Sequence, residues 1–357
     1  MQVILRDEFR DTERRTPLLP DGARDMLDAG YEITVERSQK RVIADAEFAA
    51  VGCALADPGG WRQAPGETVV LGLKELPEET APLPQAHVYF AHAYKDQAGW
   101  QDLIERFRNG GGTLLDLEYM ADPSGRRVAA FGYWAGYLGA ALALIQWLDQ
   151  RAGRGATLDA GLAPFEDAVA LDRRIEEARG GVAELSRAVV IGALGRSGSG
   201  AVDLLRRHGC AVSEWDLAET NPLDRGALLG HDILVNCVLM REAIDPFLMP
   251  EMVTGEARIS VVSDVSCDPT SPGNPLPFYT APTSWQAPSL RIENGGRGFD
   301  LIAIDNLPSL LPRESSEDFA AQLLPHLLTL REGDANPVWA ATRQAFAAAL
   351  DRLRGEN

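Results

Sequence analysis

An apolar strand, a glycine turn, a helix and a second strand ending in a carboxylate run without interruption from Arg187 to Asp216, and few folds accept that succession. The segment begins Arg187-Ala-Val-Val-Ile-Gly192-Ala-Leu-Gly195-Arg-Ser-Gly198 and closes on Cys210-Ala-Val-Ser-Glu-Trp-Asp216. It is the βαβ pattern of a dinucleotide-binding unit. Glycines let the backbone approach a pyrophosphate at a helix N-terminus, where unpaired N–H groups and the helix dipole favour an anion. A carboxylate after the second strand can accept hydrogen bonds from the ribose hydroxyls of NAD and would repel the 2′-phosphate of NADP. The glycines fall at 192, 195 and 198, not in the commoner G-x-G-x-x-G spacing. The competing expectation is a structural turn in which Asp216 only caps a helix or faces solvent.

With 357 residues the chain is long enough for two domains. No run reaches the roughly 18–20 apolar residues of a membrane-spanning helix. The N-terminal stretch lacks a basic region followed by a long apolar one, so a cytoplasmic protein without a secretory signal is expected. Cys53, Cys210, Cys237 and Cys267 match no zinc or C-x-x-C spacing; no metal is expected, and Cys210 and Cys237 read as buried apolar residues. A net charge of −18 argues against nucleic acid as a partner. Against that acidic background the first fifteen residues carry Arg6, Arg10, Arg14 and Arg15. They suit either an anionic small molecule or surface pairing with Asp7, Glu8, Asp11 and Glu13.

Periodicity predicts strands at 3–5, 31–36, 68–75, 87–92 and 113–119, with helices after Pro20 and from Trp100 to Asn109. A long apolar segment, 127–150, rich in glycine and aromatic residues, predicts a buried helix that crosses between domains or lines a dimer seam. Residues 151–185 read as a connector with some helix. A second alternating set follows, with strands at 187–192, 211–216, 232–238, 258–264 and 300–305 and a proline-rich loop at 269–289. Ser315-Ser-Glu-Asp carries capping chemistry for a helix, and 338–353 reads as a closing helix. The fold class expected is α/β: two Rossmann-like domains, each with a doubly wound parallel sheet, and a cleft between them. The boundaries expected are 1–130 plus 315–357 for a substrate and catalytic domain, and 131–314 for an NAD-binding domain.

Polar groups cluster where the apolar strands of the first domain end. Lys74 and Glu75 follow Val-Val-Leu-Gly-Leu, His92 follows Val-Tyr-Phe-Ala, and Asp116 and Glu118 sit in Leu-Leu-Asp-Leu-Glu. Open α/β sheets bind ligands at such carboxyl ends. Burial disfavours the charged form of a lysine and a nearby carboxylate restores it, while histidine titrates near neutrality. A lysine and a histidine can therefore share the proton transfers around a hydride step. Taken singly, each could be structural, and Asp116 and Glu118, alternating with leucines, could instead face one polar side or pair with Arg126 and Arg127.

At these residues the chain resembles the NAD-dependent, lysine-forming saccharopine dehydrogenases of the alanine-dehydrogenase-like group. The matching strings are Leu71-Gly-Leu-Lys-Glu-Leu-Pro77, Tyr89-Phe-Ala-His-Ala-Tyr-Lys-Asp-Gln-Ala-Gly-Trp100, Gly111-Gly-Thr-Leu-Leu-Asp-Leu-Glu118, Gly125-Arg-Arg-Val-Ala-Ala-Phe-Gly132, Ile191-Gly-Ala-Leu-Gly-Arg-Ser-Gly-Ser-Gly200 and Ile304-Asp-Asn-Leu-Pro-Ser-Leu-Leu-Pro-Arg313. The resemblance implies reversible, NAD-dependent oxidative deamination of saccharopine to L-lysine and 2-oxoglutarate. It implies Lys74 as base for the secondary amine and His92 as proton donor and acceptor for imine hydration, with Glu75 and Glu118 in support. It places Arg15, Gln97, Arg127, Phe131, Ser266, Cys267 and Asp268 on the substrate side. On the NAD side it places Arg126, Gly195, Arg196, Asp216, Thr220, Leu239, Val265, Ile304, Asp305, Asn306 and Leu307. Three carboxylates on saccharopine would account for arginines in an acidic chain.

The chain departs from the family pattern at several positions. Arg10 replaces a lysine, and Ser197 replaces a glycine-turn cysteine, which removes a disulfide to Cys237. Asn306 and Leu239 replace a His and a Tyr, and Cys267 replaces a small Ala. The alternatives are a related opine-type dehydrogenase with another amine or keto acid, or a noncatalytic NAD-binding sensor. Small-molecule partners alone are expected, with no membrane, in a monomer or small homo-oligomer.

Overall fold

Leu5, Leu71, Val88 and Leu115 lie side by side at the centre of a parallel sheet, each from a short strand with almost no exposed surface. The computed structural model describes residues 1–94, 99–238, 242 and 244–355. It divides into two compact units: Met1–Ala130 with Ser315–Asn357, and Phe131–Glu314.

In the first unit the chain runs β1 (Gln2–Leu5), α1 (Pro20–Asp28), β2 (Glu32–Glu36), α2 (Asp45–Ala50), β3 (Ala54–Ala56), β4 (Val69–Leu71), β5 (Ala86–Tyr89), α3 (Trp100–Gly110) and β6 (Thr113–Asp116). The strands are all parallel, in the order β3-β2-β1-β4-β5-β6. That order reverses direction between β1 and β4, the switch point where open α/β sheets take their ligands.

The second unit begins with α4 (Gly132–Arg151) and continues through α5 (Ala168–Arg179), β7 (Arg187–Ile191), α6 (Arg196–Arg207), β8 (Ala211–Trp215), α7 (Leu217–Thr220), α8 (Arg225–Leu229), β9 (Ile233–Asn236), β10 (Val261–Asp264), β11 (Leu290–Ile292) and β12 (Phe299–Ile302). Its sheet order is β11-β12-β10-β9-β7-β8. Five strands are parallel, but the edge strand β11 runs antiparallel to β12, so this sheet is mixed where an all-parallel one was expected. The chain returns to the first unit within α9 (Pro312–Leu327) and ends in α10 (Pro337–Arg354), which packs on α3 and β6.

The apolar segment expected to be helical from 127 starts its helix only at Gly132. From Gly136 to Asp149 every residue of α4 is buried in the second unit's core, with Leu138, Leu142, Leu144, Ile145, Trp147 and Leu148 inside it. Each such side chain contributes roughly 1.5–3 kcal/mol when removed from water. From Gly136 onward that surface is taken up within the unit's own core. Gly136 permits close packing on α6, since a Cβ there would lie 1.7 Å from the Ser197 carbonyl oxygen.

Two further expectations change. Several predicted strands overran: β4 stops at Leu71, β5 at Tyr89 and β6 at Asp116, and Leu117–Tyr119 is a 3₁₀ turn. The run Ser315-Ser-Glu-Asp does not cap α9. That helix opens three residues earlier at Pro312, whose fixed φ and missing N–H suit a first helical position. Ser315 and Ser316 are consequently buried inside it, and the Ser316 hydroxyl accepts the Thr16 N–H at 3.0 Å. Among the described residues no helix is long and apolar enough to cross a membrane.

Candidate active site

Because β4 and β5 end early, Lys74 and His92 stand on irregular turns beyond the strands, each three residues past its last strand residue. β4, β5 and β6 are neighbours in register, so both turns and Glu118 gather at one end of the first unit's sheet. The turns continue the pairing: Gly72 N–H donates to Val88 O at 2.9 Å and Phe90 N–H to Leu73 O at 3.0 Å.

His92 has a φ of 51°, a left-handed conformation uncommon for a residue with a Cβ. Such strain costs on the order of 1–3 kcal/mol and is concentrated at functional sites. The imidazole is half-exposed, stacks on Phe90, and places Nδ1 3.3 Å from Glu118 Oε2. The Glu118 N–H donates in turn to Asp116 Oδ1 at 2.9 Å. Asp116 is fully buried, and burial pushes its carboxyl up to about 6 against the opposing hydrogen bonds from the Glu118 and Ala91 N–H groups. Asp116 is therefore an internal acceptor and does not sit on an exposed polar face.

Around Lys74 the arginine-rich N-terminal segment folds inward. Arg15 and Glu13 form a buried bidentate pair, Nε to Oε1 at 2.8 Å and Nη2 to Oε2 at 2.6 Å. Arg6 and Glu8 form a second buried pair at 3.3 Å. Arg10 pairs with Glu75 at a partly exposed position, and Arg14 is exposed with Nε donating to Lys40 O. Surface pairing was one of the two expectations for these arginines; the pairing is present, but Arg6, Glu8, Glu13 and Arg15 are interior and not on the surface. Burial works to raise the carboxyls of Glu13 and Glu75, yet both lie below the usual range. Arg15 outweighs burial for Glu13 and Arg10 for Glu75, and Lys74 adds to both. Two carboxylates that feel the Lys74 charge thus stay anionic. The sequence marks Glu13 only as a surface partner for an arginine, because a charged residue two positions from an arginine resembles a solvated pair; its burial beside Lys74 is not legible there.

Arg126 and Arg127 are exposed, on a turn held by Asp122 Oδ1, which accepts the Ser124 and Arg126 N–H groups. Phe131 is half-buried just before α4. Gln97 and Leu239 lie outside the described residues.

In the second unit, order reverses between β7 and β9. β7 ends at Ile191 and enters the turn through Gly192 at φ 81°. Gly198 has no room for a side chain, since a Cβ would lie 2.0 Å from Gly192 O. Gly195 is the N-cap of α6, with no side chain to occupy the helix's first N–H groups, and Arg196 is its first residue. Asp216 follows β8 and does two things. Its Oδ1 caps α7 through Leu217 N at 2.9 Å, and its Oδ2 accepts the glycine-turn N–H of Leu194 at 3.3 Å. Asp216, Thr220, Ile191, Gly192, Leu223 and Val238 line a cavity of about 620 Å³. A helix N-terminus without a side-chain cap, a turn that excludes Cβ atoms and a carboxylate beside a roomy cavity fit a dinucleotide.

Beyond β10, Asp264 organises the turn that carries Ser266, Cys267 and Asp268. It is fully buried and accepts Ser266 Oγ at 2.6 Å, Asn236 Nδ2 at 3.0 Å and Tyr279 Oη at 2.7 Å. Val265 N–H donates to Asn236 O at 2.9 Å. Cys267 adopts φ 48° and directs Sγ to Ala303 O at 3.2 Å. Burial, with Asp305, Asp264 and Asp268 adding, pushes its thiol up to about 12, so it is not a thiolate nucleophile. Asp268 is half-buried on the same turn. Ile304 and Leu307 are buried, Asn306 half-buried and Asp305 exposed on the turn after β12. All four cysteines are free; Cys210 and Cys237 are partly rather than fully buried.

Residues 4–138 match the family model described as alanine dehydrogenase/PNT, N-terminal domain. The saccharopine dehydrogenase [NAD(+), L-lysine-forming] of Yarrowia lipolytica is 42% identical over 358 residues, covering 97% of this chain and 96% of that protein. That of Neurospora crassa is 43% identical over 353 residues, covering 96% and 94%. Among solved structures, an L-alanine dehydrogenase superposes with a TM-score of 0.70 at 17% identity, covering 99% of this chain and all of that one; that likeness shows the two-Rossmann-like fold alone.

Proposed function

The chain belongs to the family of NAD-dependent, L-lysine-forming saccharopine dehydrogenases, and from that premise we propose that it interconverts saccharopine with L-lysine and 2-oxoglutarate. The proton chemistry is assigned to Lys74 and His92 of the first unit. The dinucleotide is assigned to the glycine turn, Asp216 and Thr220 of the second, with Arg126, Gly195, Arg196, Leu239, Val265, Ile304, Asp305, Asn306 and Leu307 contributing. Bound there, NAD would supply the hydride acceptor for oxidation at the glutaryl carbon of the secondary amine.

Lys74 takes the amine proton as the C–N bond becomes C=N. His92 removes a proton from the attacking water and returns one to the departing lysine nitrogen as the carbinolamine collapses. Glu118 orients the imidazole through Nδ1, which leaves Nε2 for the proton transfers. Glu75 and Glu118 tune the charge of Lys74. Arg15, Arg127 and Gln97 hold substrate carboxylates and polar groups, and Phe131, Ser266, Cys267 and Asp268 complete the substrate side. Arg15 keeps one guanidinium edge on Glu13, so its orientation is fixed before substrate arrives.

The observation that carries this assignment is the convergence of Lys74 and His92 on adjoining turns of one sheet end. His92 has Glu118 beside it, and Lys74 lies in the field of Glu13 and Glu75. Purified protein supplied with NADH, 2-oxoglutarate and a panel of amines tests it. L-lysine is expected to support NADH oxidation ahead of shorter and uncharged amino acids. NADH oxidation with another amine but none with L-lysine would replace saccharopine by a different opine-type substrate.

A further inference from the structure

We infer that Arg6 and Glu8 are positioning residues for Lys74, clamping its main chain so that its side chain is presented in one orientation. Both carboxylate oxygens of Glu8 are engaged: Oε1 accepts the Leu73 N–H at 2.7 Å and Oε2 the Lys74 N–H at 3.0 Å. From the other side, Arg6 Nη2 donates to the Lys74 carbonyl oxygen. The two clamping groups hold each other, with Arg6 Nη1 3.3 Å from Glu8 Oε2, and both are buried. The peptide N–H and C=O of Lys74 are therefore fixed by a single ion pair that arises from the end of β1.

Gly72 supplies an independent sign that the clamp is built in. A Cβ at that position would lie 2.3 Å from Arg6 Nε and 2.6 Å from its Cζ. The backbone at Gly72 is thus the floor on which the guanidinium lies. The first residue of the turn is stripped to hydrogen, the second and third donate to Glu8, and the third accepts from Arg6. Buried charges are costly, and in some proteins they are retained because they specify geometry. Here the specified object is the turn that carries the amine, and a displacement of about 1 Å in a reacting group costs about 100-fold in rate.

This inference rests on Lys74 acting as the base, and its test separates the two. Glu8→Gln leaves one carbonyl acceptor for two N–H groups. Gly72→Ala keeps every charge and pushes the Arg6 guanidinium off the Lys74 carbonyl. Each variant, with thermal unfolding and NADH affinity measured alongside, is expected to lower kcat by about 10- to 100-fold, with little change in KM for L-lysine. Each change is then introduced into Lys74→Met. A clamp that acts only through Lys74 produces no further loss there, whereas a merely structural defect multiplies the loss. Unchanged kcat in both single variants, or a full additional loss on the Lys74→Met background, overturns the clamp alone. Wild-type turnover by Lys74→Met removes the base assignment and the clamp with it. If Glu8→Gln fails to fold, Gly72→Ala, which disturbs no charge, decides the matter in the same two backgrounds.

Discussion

His87 lies on β5, the strand that leads to His92, and its imidazole is fully buried. Trp61, Tyr89 and Phe107 meet it edge-on, and among the described residues neither ring nitrogen has a hydrogen-bond partner. Burial, reinforced by the charges of Arg6 and Arg106, lowers its pKa from 6.5 to about 3. The native pKa lies below the unfolded one, so between those values the unfolded chain binds a proton that the native chain refuses. The neutral ring's contribution to stability is complete above pH 6.5 and is lost as pH falls toward 3. At about 1.4 kcal/mol per pH unit, the deficit is about 2 kcal/mol at pH 5 and about 3 kcal/mol at pH 4.

His87→Leu, of similar volume and without a titrating group, removes that deficit. Loss of the ring contacts lowers stability equally at every pH, so it cancels when the two proteins are compared across pH. Urea unfolding followed by tryptophan fluorescence, with Trp61 beside the site, is the assay. The stability difference between variant and wild type is expected to move by about 2 kcal/mol in the variant's favour between pH 8 and pH 5. Parallel pH profiles would mean that His87 titrates alike in both states, and the burial argument would be wrong.

Asp116 works in the opposite sense. Its native pKa of about 6 lies above the ordinary 3.8, so its favourable contribution is present below pH 3.8 and is lost as pH rises through 6. Asp116→Asn, which keeps an acceptor for the Glu118 N–H, should gain up to about 3 kcal/mol relative to wild type on going from pH 3.5 to pH 8, measured by the same unfolding assay; a pH-independent difference would refute the shift. At Asp216, replacement by Ala should raise the KM for NADH by about 10- to 100-fold, as expected for hydrogen bonds to a charged group. It should also narrow the preference over NADPH, and unchanged NADH kinetics would limit Asp216 to its cap on α7.

Much of this molecule is visible in the sequence because its strands are short apolar runs bounded by turn residues. Val189, Leu234, Val262 and Leu301 are buried on parallel strands, where both faces are covered and no polar alternation is needed. Apolar runs do not mark their own ends, however, so the apolar pattern extends past the true strand ends through Leu73 and Phe90. Their turns depend on tertiary hydrogen bonds that no local signal announces. β3 and β11 are three-residue strands with partly exposed residues and therefore carry almost no pattern. Ser315 imitates a cap, but Pro312 has already opened the helix. Lys74, His92 and Asp216 were legible through their strand-end positions. Glu8 and Glu13 were not, because burial of an Arg–Glu pair cannot be told from a surface pair without the fold.

Lys74 and His92 are assigned the proton chemistry of the saccharopine reaction. Initial rates of NADH oxidation with 2-oxoglutarate and L-lysine, compared between wild type and the Lys74→Met/His92→Gln double variant, decide that assignment. Brisk turnover is expected in the wild type. The double variant is expected to retain its fold and NADH affinity while losing at least about 100-fold in kcat, the scale of one general acid–base group. A double variant that turns over at the wild-type rate would contradict the assignment.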